Sequence, residues 1–358
     1  MRFAPPPSIR MADRSSGLNQ VLARSFNERL IMSLLLQNDG MTRLQLGQAS
    51  GLSAQTISVI VRALERDRLI SKGEAVRGRI GPPTTPIRLN PDGAFSIGLH
   101  IGISVLEAAL IDFVGTPLML KSSPIGNFDA ENILAGLSSL VVDMTEECGP
   151  VRKSGLTGIG ITMPRNFDDP TLSDAVHDID LEDEMRNRTG LEVFIQNDVT
   201  ATAGAESMFG AARNLGDHLF FYLGRTIQPR LILGGRIYSG SIAVPHLKMQ
   251  TAEFPDFNAL KQAPDQVGPQ MATWIRTCSE GLTRLILDFG KFASVPDVVI
   301  SGPVRDDIAD EIVRLTRDEI TATKPETSIA ASTLGPWALT IGAAALPFHT
   351  RFMADMLY

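Results

Sequence analysis

GLSAQTISVIVRAL, residues 51–64, is the stretch of the chain that decides its fold. Its apolar residues recur at helical spacing, so one face of a helix can be buried: Leu52, Ile57, Ile60 or Val61, and Leu64. Ser53 suits the N-cap, where a hydroxyl accepts a backbone N–H that lacks a partner within the helix. The stretch therefore predicts an amphipathic helix that begins just after Ser53.

The opposite face of this helix carries side chains suited to nucleic acid. Gln55, Thr56 and Val59 are expected to point outward in the first turns, and Arg62 follows one turn later. An amide, a hydroxyl and an apolar side chain suit the base edges and thymine methyl groups of a major groove. We expect these four residues to contact DNA together with Ser53.

A second short helix precedes this one. Thr42-Arg43-Leu44-Gln45 has the spacing of a capping box, and the helix that it starts runs to about Ser50. Gly51 then supplies the tight turn between the two helices. This arrangement, over residues 41–68, is typical of a helix-turn-helix, and Arg43 joins the predicted DNA contacts. An ordinary helical hairpin in a core is the alternative.

A basic hairpin follows the helices. Residues 69–73 and 76–90 predict two short strands around a Gly/Pro/Arg tip, which together form a wing. Arg77 and Arg79 lie beside glycines in this tip, and arginine is favoured in a narrow minor groove. A basic linker between domains is the alternative, and the prolines of the segment are compatible with both.

Composition separates a basic front from an acidic body. The 358 residues carry a net charge of −7, but residues 1–90 hold 13 Lys+Arg against 6 Asp+Glu. A net charge of +7 on the first quarter, against −14 on the rest, fits a small nucleic-acid-binding domain on a larger domain that avoids polyanions. Two distant cysteines, with no apolar leader and no membrane-length apolar run, predict a cytoplasmic protein.

Three parts follow from these patterns. Residues 1–20, with Pro5-Pro6-Pro7 and little to bury, predict a disordered arm. Residues 21–90 hold the winged helix-turn-helix, whose first packing helix is Asn27 to Gln37. Residues 91–358 form the remaining domain.

These first ninety residues resemble the winged-helix part of the ROK family, which is named for repressors, open reading frames and sugar kinases. The matching residues run from Gly51-Leu52-Ser53 to Leu64 and continue with Gly78-Arg79, Pro83, Leu89-Asn90-Pro91 and Gly98. Leu89-Asn90-Pro91 before a strand is the family's usual connection to its second domain.

The remainder alternates strands and helices in two similar units. Strands are predicted at 95–101, 105–111 and 116–121, and again at 218–223, 230–233 and 236–238, and helices at 130–147, 201–208, 270–289 and from 337 to about 346. Two such units predict an α/β class fold. The resemblance implies a duplicated actin-like, ribonuclease H-like ATPase fold behind the winged helix-turn-helix, with a small-residue packing site at Gly342-Ala343-Ala344.

The resemblance also identifies two altered phosphate-binding turns. ROK kinases carry Asp-x-Gly-Gly-Thr in the first turn, whereas this chain has His100-Ile101-Gly102-Ile103-Ser104. The second family turn, Gly-Thr-Gly-Ile-Gly, is replaced by a predicted turn at Gly224-Arg225-Thr226-Ile227-Gln228. Phosphate turns need glycine so that backbone N–H groups can approach the anion, so we expect no ATP binding and no catalytic residue.

The sugar site of the family is better preserved. Asn197-Asp198, after the strand residues 193–195, matches the family's Asn-Asp pair, in which both residues bind the sugar and the aspartate is the general base in kinases. Glu206 also matches. A turn or helix cap is the alternative for Asn197-Asp198, and a structural hydrogen bond is the favoured interpretation of Glu206.

Two departures change the expected ligand. The family's Gly-Glu-Ile-Gly-His motif is absent after Gly240, where His246 falls close to the expected glutamate, and only Cys278 follows, so no zinc cluster is expected. His246 and Lys248, with Arg165 in the family's Pro-Gly loop, favour an anionic ligand.

The sequence thus predicts a DNA-binding transcriptional regulator, a repressor, that is not an enzyme and has no cofactor or metal. Its expected partners are a pseudo-palindromic operator, a second copy or copies of the chain, and a sugar or anionic sugar derivative at Arg165, Asn197, Asp198 and His246. The alternative is an ATP-dependent ROK sugar kinase with a regulatory DNA-binding head.

Overall fold

The computed structural model describes residues 17–74, 85–164, 180–224, 226–238, 247–248, 269–293, 295–321 and 323–354. No helix in these ranges is long and apolar enough to cross a lipid bilayer. Contacts within the chain divide it into two compact units. The first unit is the chain up to Asp198 together with Ala343–Met356, and the second includes Val199–Gly342.

The head, as we call the N-terminal part of the first unit, contains three helices and two short strands. They are α1 Gly17–Gln37, α2 Arg43–Ser50, α3 Ala54–Arg66, β1 Ile70–Lys72 and β2 Ile87–Leu89. α1 begins ten residues before the predicted Asn27, so its first four residues fall within the segment predicted as an arm. Leu18, Val21 and Leu22 extend the helical spacing of the segment towards the N-terminus.

The core of the head comes from one face of each helix. Its members are almost fully buried: Ile31, Leu35, Leu46, Ile57, Ile60, Val61 and Leu64. β1 pairs antiparallel with β2, and Met41 bridges the other side of β2 at Ile87. The helix-turn-helix therefore packs on a small sheet whose two strands lead to the predicted wing tip.

The first unit continues with a five-stranded sheet in the order β5-β4-β3-β6-β7. Its elements are β3 Phe95–Ile101, β4 Val105–Asp112, β5 Pro117–Pro124, α4 Ala130–Glu147, α5 Gly149–Ser154, β6 Leu156–Met163, α6 Leu181–Thr189 and β7 Val193–Asn197. Ile97, Leu99 and Ile101 form one hydrophobic cluster with the buried residues of α4. The opposite face of β3 carries Ser96, Gly98 and His100 because side chains alternate along a strand.

The second unit repeats this strand order. It comprises α7 Asp198–Phe209 (whose first residue belongs to the first unit), β8 His218–Leu223, β9 Thr226–Leu233, β10 Arg236–Ile237, β11 Leu247–Lys248, α8 Pro269–Phe289, β12 Asp297–Ser301, α9 Asp306–Thr321, β13 Ser328–Ala331 and the start of α10 Ala338–Phe352. The sheet runs β10-β9-β8-β12-β13, and β11 also pairs with β9. Both sheets therefore combine an antiparallel meander with two parallel strands, as the predicted duplication requires.

The small residues predicted to pack at residues 342–344 do so in α10. A Cβ on Gly160 would lie 1.8 Å from the carbonyl oxygen of Ala343, and one on Gly342 would lie 2.8 Å from the backbone nitrogen of Thr202. α10 extends six residues beyond the predicted end near Leu346. Phe348 and Phe352 continue the packing, with ring centroids 5.3 Å and 5.0 Å from that of Phe113.

Candidate nucleic-acid interface and effector site

Single side chains set the ends of the two helices of the helix-turn-helix. The Thr42 N–H donates to Gln45 Oε1 at 2.8 Å, and the Gln45 N–H donates to Thr42 Oγ1 at 3.3 Å, which confirms the predicted capping box. Gly51 ends α2 with a left-handed φ of 70° and donates its N–H to the Gly47 carbonyl. Ser53 caps α3 by accepting the Thr56 N–H at 3.1 Å.

The outward face of α3 carries most of the predicted DNA contacts. Gln55, Val59 and Arg62 are exposed and recur at spacings of four and three residues, so they form one stripe along the helix. Arg43 is exposed at the first position of α2. The stripe is polar except for Val59, as suits a surface that meets a groove of DNA.

Thr56 differs from its prediction. The side chain is half-buried, and its hydroxyl lies 2.8 Å from the hydroxyl of Ser53. The reason is positional, because the third residue of a helix turns back towards its N-cap. Thr56 thus supports the cap in this structure, and its contact with DNA stays a prediction.

The wing is confirmed as a hairpin through its strands. Ile70 to Lys72 pair with Leu89 to Ile87 in antiparallel register. The tip lies outside the described residues, and with it Arg77 and Arg79, so their role in the minor groove stays a prediction.

A polar row crosses one end of the first sheet. His100 lies opposite Glu107 on β4 and beside Thr162 on β6, and Thr162 lies beside Gln196 on β7. All four side chains lie on one face, and His100 Nδ1 is 3.2 Å from Thr162 Oγ1. Gln196 is followed by Asn197, the last residue of β7, whose side chain alternates to the opposite face of the sheet.

Asn197 and Asp198 lie where this strand becomes a helix. Asn197 ends β7 beside Met163, and Asp198 begins α7, which confirms the predicted strand end. Each residue is 5% exposed, so its polar groups are held within the fold. Convergent amide and carboxylate groups can bind the hydroxyls of a polyol. Arg165 and His246, the other predicted effector contacts, lie outside the described residues.

The row contains a residue that sequence reasoning missed. Glu107 is 4% exposed and is the one charged residue between the apolar positions of β4. A charge within an otherwise apolar strand was the available signal, since such a group is seldom buried without a partner. Only the strand register places it beside His100.

The two altered phosphate turns are closed hairpins. In the first, the Gly102 N–H donates to the Val105 carbonyl at 3.0 Å, and Ile103 is exposed where the family has glycine. The second is shorter than the predicted turn at Gly224–Gln228, because β9 already begins at Thr226. β-Branched Thr226 and Ile227 favour the strand, and Ile227 is paired with both Leu223 and Leu247.

Glu206 is a buried structural residue within the second unit. Its carboxylate accepts the Ala211 N–H at 2.9 Å and the Ser332 hydroxyl. Burial raises the pKa of this carboxyl to about 7, against the lowering effect of these hydrogen bonds. The contacts agree with the structural interpretation that the sequence favoured.

Metal-ligating side chains do not come together within the described ranges, where no group of three His, Cys, Asp or Glu could hold an ion. Cys148 and Cys278 are both buried free thiols. Burial raises the pKa of the Cys278 thiol well above its ordinary value, so it is a poor metal ligand at neutral pH. The absence of a zinc cluster from the whole chain stays a prediction, since His246 is not described.

Two families match separate parts of the chain. Residues 27–71 match the winged helix-turn-helix DNA-binding family, and residues 96–251 match the ROK family. A winged helix-turn-helix joined to a ROK domain defines the class of ROK-family transcriptional regulators. Both of these regions are present in this chain.

Two known proteins have similar sequences, and a third has the same fold. An uncharacterized Sinorhizobium fredii protein is 23% identical over 92% of both chains. The xylose repressor of Bacillus spizizenii is 26% identical over 62% of this chain and 59% of the repressor, so the match spans less than two thirds of that relative. The crystal structure of a ROK family transcriptional regulator, a homolog of the E. coli MLC protein, has the same fold, with a TM-score of 0.64 at 19% identity over 92% of this chain and 97% of that one.

Proposed function

We propose that the protein is a transcriptional repressor whose head binds a pseudo-palindromic operator and whose ROK domain binds a sugar or sugar derivative without phosphorylating it. The main observation in support is the exposed stripe formed by Gln55, Val59 and Arg62 on α3, a helix that is capped and packed like a recognition helix. The basic first quarter of the chain adds attraction to phosphates, and the repressors among its relatives support this function.

Selection of bound fragments from genomic DNA tests the DNA-binding part. The double variant Gln55→Ala/Thr56→Ala should lower affinity for the selected operator by about 5- to 150-fold, because a base contact such as that of Gln55 contributes about 1–3 kcal/mol. Its affinity for random DNA should change little, since phosphate contacts dominate there. Ser139→Ala/Val142→Ala, at two exposed positions of α4, is the matched control. An equal loss on operator and random DNA would contradict the assignment of α3.

The proposal that the ROK domain is no kinase rests on the two closed hairpins. Ile103 occupies a turn that needs glycine, and the backbone of Ile227 is committed to strand pairing. Coupled measurement of ADP formation over a panel of sugars, D-xylose included, should give no turnover. Sugar-dependent ADP formation would instead establish the kinase alternative, which the retained Asn197-Asp198 pair favours.

Asn197 and Asp198 are the proposed effector contacts, with Arg165 and His246 contributing if the ligand is anionic. A thermal-shift screen of neutral sugars against their phosphate esters separates the two ligand classes. We expect Asp198→Asn to remove the shift while leaving the unliganded melting temperature within a few degrees. Stabilisation that survives in both Asn197→Ala and Asp198→Asn would place the ligand elsewhere.

A dimer or tetramer would place two α3 helices about one DNA turn apart. Sedimentation with and without operator duplex measures this directly. Inserting half a turn of DNA, about five base pairs, between the half-sites should abolish simultaneous binding of both heads. A single substitution in one half-site should cost about 1–3 kcal/mol of binding free energy.

A further inference from the structure

One apolar side chain lies in the middle of the DNA-facing surface. Val59 is 49% exposed, whereas the other large apolar residues of α3, namely Ile57, Ile60, Val61 and Leu64, are at most 3% exposed. Valine also has a lower helix propensity than alanine. Neither core packing nor helix formation therefore accounts for a valine at this position.

The neighbours of Val59 on α3 indicate which part of a DNA groove its side chain would contact. Gln55 lies one turn before it and Arg62 one turn after it on the same exposed stripe. Four residues advance a helix by about 6 Å, which is close to two base-pair steps of about 3.4 Å. A helix that placed the Gln55 amide on one base edge would place the Val59 methyl groups about two base pairs further along the groove.

The N-cap of α3 engages the hydroxyl of Thr56, the polar group on the neighbouring turn that could otherwise contact a base beside Val59. The Thr56 hydroxyl lies against Ser53 Oγ at 2.8 Å and is half-buried. The Ser58 hydroxyl donates to the Ala54 carbonyl at 2.8 Å within the helix. The centre of the stripe thus presents methyl groups to the groove, and the one methyl group on a major-groove base edge of unmodified DNA is that of thymine.

We propose that Val59 reads the 5-methyl group of a thymine in each operator half-site and so helps to set the sequence specificity of the protein. This inference rests on the proposed function, because it requires that α3 enter a major groove. Two methyl-bearing groups that exclude water between them gain affinity without a hydrogen bond.

Single thymine-to-deoxyuridine replacements in the selected operator test the proposal, because each removes one methyl group and nothing else. At one thymine per half-site, the wild-type protein should lose about fourfold in affinity. Val59→Ala should bind the unmodified operator about as weakly as the wild type binds the operator with this uridine. Replacing the same thymine by deoxyuridine should not lower the affinity of Val59→Ala any further. Val59→Thr, which keeps one methyl group, should show an intermediate loss.

Val142→Ala is the matched control, because Val142 is also a helical valine that is 49% exposed but lies on α4. It should retain the full fourfold effect of uridine. Suppose that an operator is selected and that Val59→Ala loses affinity at every uridine replacement at which the wild type does. The thymine contact is then wrong, and the proposed function stands. If selection recovers no preferred sequence, the proposed function itself fails.

Discussion

At the scale of single residues, the ends of the recognition elements depend on a few short side chains. Thr42, Gln45, Gly51 and Ser53 each make a contact within five residues of themselves. Such contacts are local, so the sequence predicts them well. The same reasoning predicted Asn197 and Asp198 at a strand end, but Glu107 and His100 become neighbours only through pairing of β3 with β4.

Ser53→Ala tests whether the cap holds the first turn of α3. Loss of the hydroxyl should destabilise this turn by about 1 kcal/mol, because the Thr56 N–H loses its acceptor. Hydrogen exchange of the first-turn amides should accelerate about fivefold. Ser58→Ala is the control, since its hydroxyl only back-bonds to Ala54, and unchanged exchange is expected there. Equal protection in both variants would contradict the capping role.

The buried carboxyl of Glu206 should make stability depend on pH. Its folded-state pKa of about 7 lies above the ordinary 4.5, so the protonated form favours folding. This stabilisation is complete below about pH 4.5 and is lost as the pH rises to about 7. Melting temperatures should therefore fall from pH 5 to pH 8 by more in the wild type than in Glu206→Gln, by the equivalent of about 1–3 kcal/mol.

Glutamine retains an acceptor for the Ala211 N–H and the shape of the side chain, so Glu206→Gln should still fold. Glu146→Gln, at an exposed position of α4, should keep the wild-type dependence on pH. Parallel melting curves for the wild type and Glu206→Gln would show that the carboxyl does not titrate between these pH values.

At the scale of elements, the limits of some helices and strands agree with the sequence prediction and those of others do not. The limits of α4, from Ala130 to Glu147, agree with the sequence prediction because Leu134, Leu137 and Val141 repeat at helical spacing. α6 was missed because the polar LEDEMRNRT offers only Leu181 and Met185 to a core. The start of β9 was missed because glycine-rich family turns suggested a longer loop than the β-branched residues allow.

Gly160 in β6 should be essential for the docking of α10. A methyl group at this position would lie 1.8 Å from the Ala343 carbonyl oxygen, so the helix would have to move. We expect Gly160→Ala to destabilise the protein by about 3 kcal/mol or more, as measured by thermal melting. Gly126→Ala is the control, since nothing lies within 4 Å of an added Cβ there. Equal melting temperatures for the two variants would mean that α10 packs differently.

At the scale of the whole molecule, the head is built into the first unit. Ser33 Oγ accepts the Ala354 N–H at 2.9 Å, which ties α1 to the residues that follow α10. The Asn90 side chain donates to the Arg68 carbonyl at 2.7 Å, so the connection after β2 is also fixed. The contact between Ser33 and Ala354 joins residues more than 300 positions apart, so the spacing of residues in the sequence cannot predict it.

The chain leaves the first unit after Asp198 and returns to it between Gly342 and Ala343, inside α10. Asn197 and Asp198, the proposed ligand contacts, belong to the same unit as the head. We propose that a ligand with different affinities for two conformations of the protein shifts their populations and so acts on the head. Operator affinity would then change by a factor that reflects the ligand's preference.

Thermodynamic linkage makes this switch testable from both sides. If a sugar found by thermal shift changes operator affinity by a given factor, saturating operator must change the affinity for that sugar by the same factor. Typical coupling of about 1–3 kcal/mol corresponds to about 5- to 150-fold. Calorimetric titration of the sugar into free protein and into the operator complex measures one side, and operator titration with and without sugar measures the other. Equal operator affinity in both conditions, with the sugar demonstrably bound, would mean that the ROK domain binds its ligand without controlling the head.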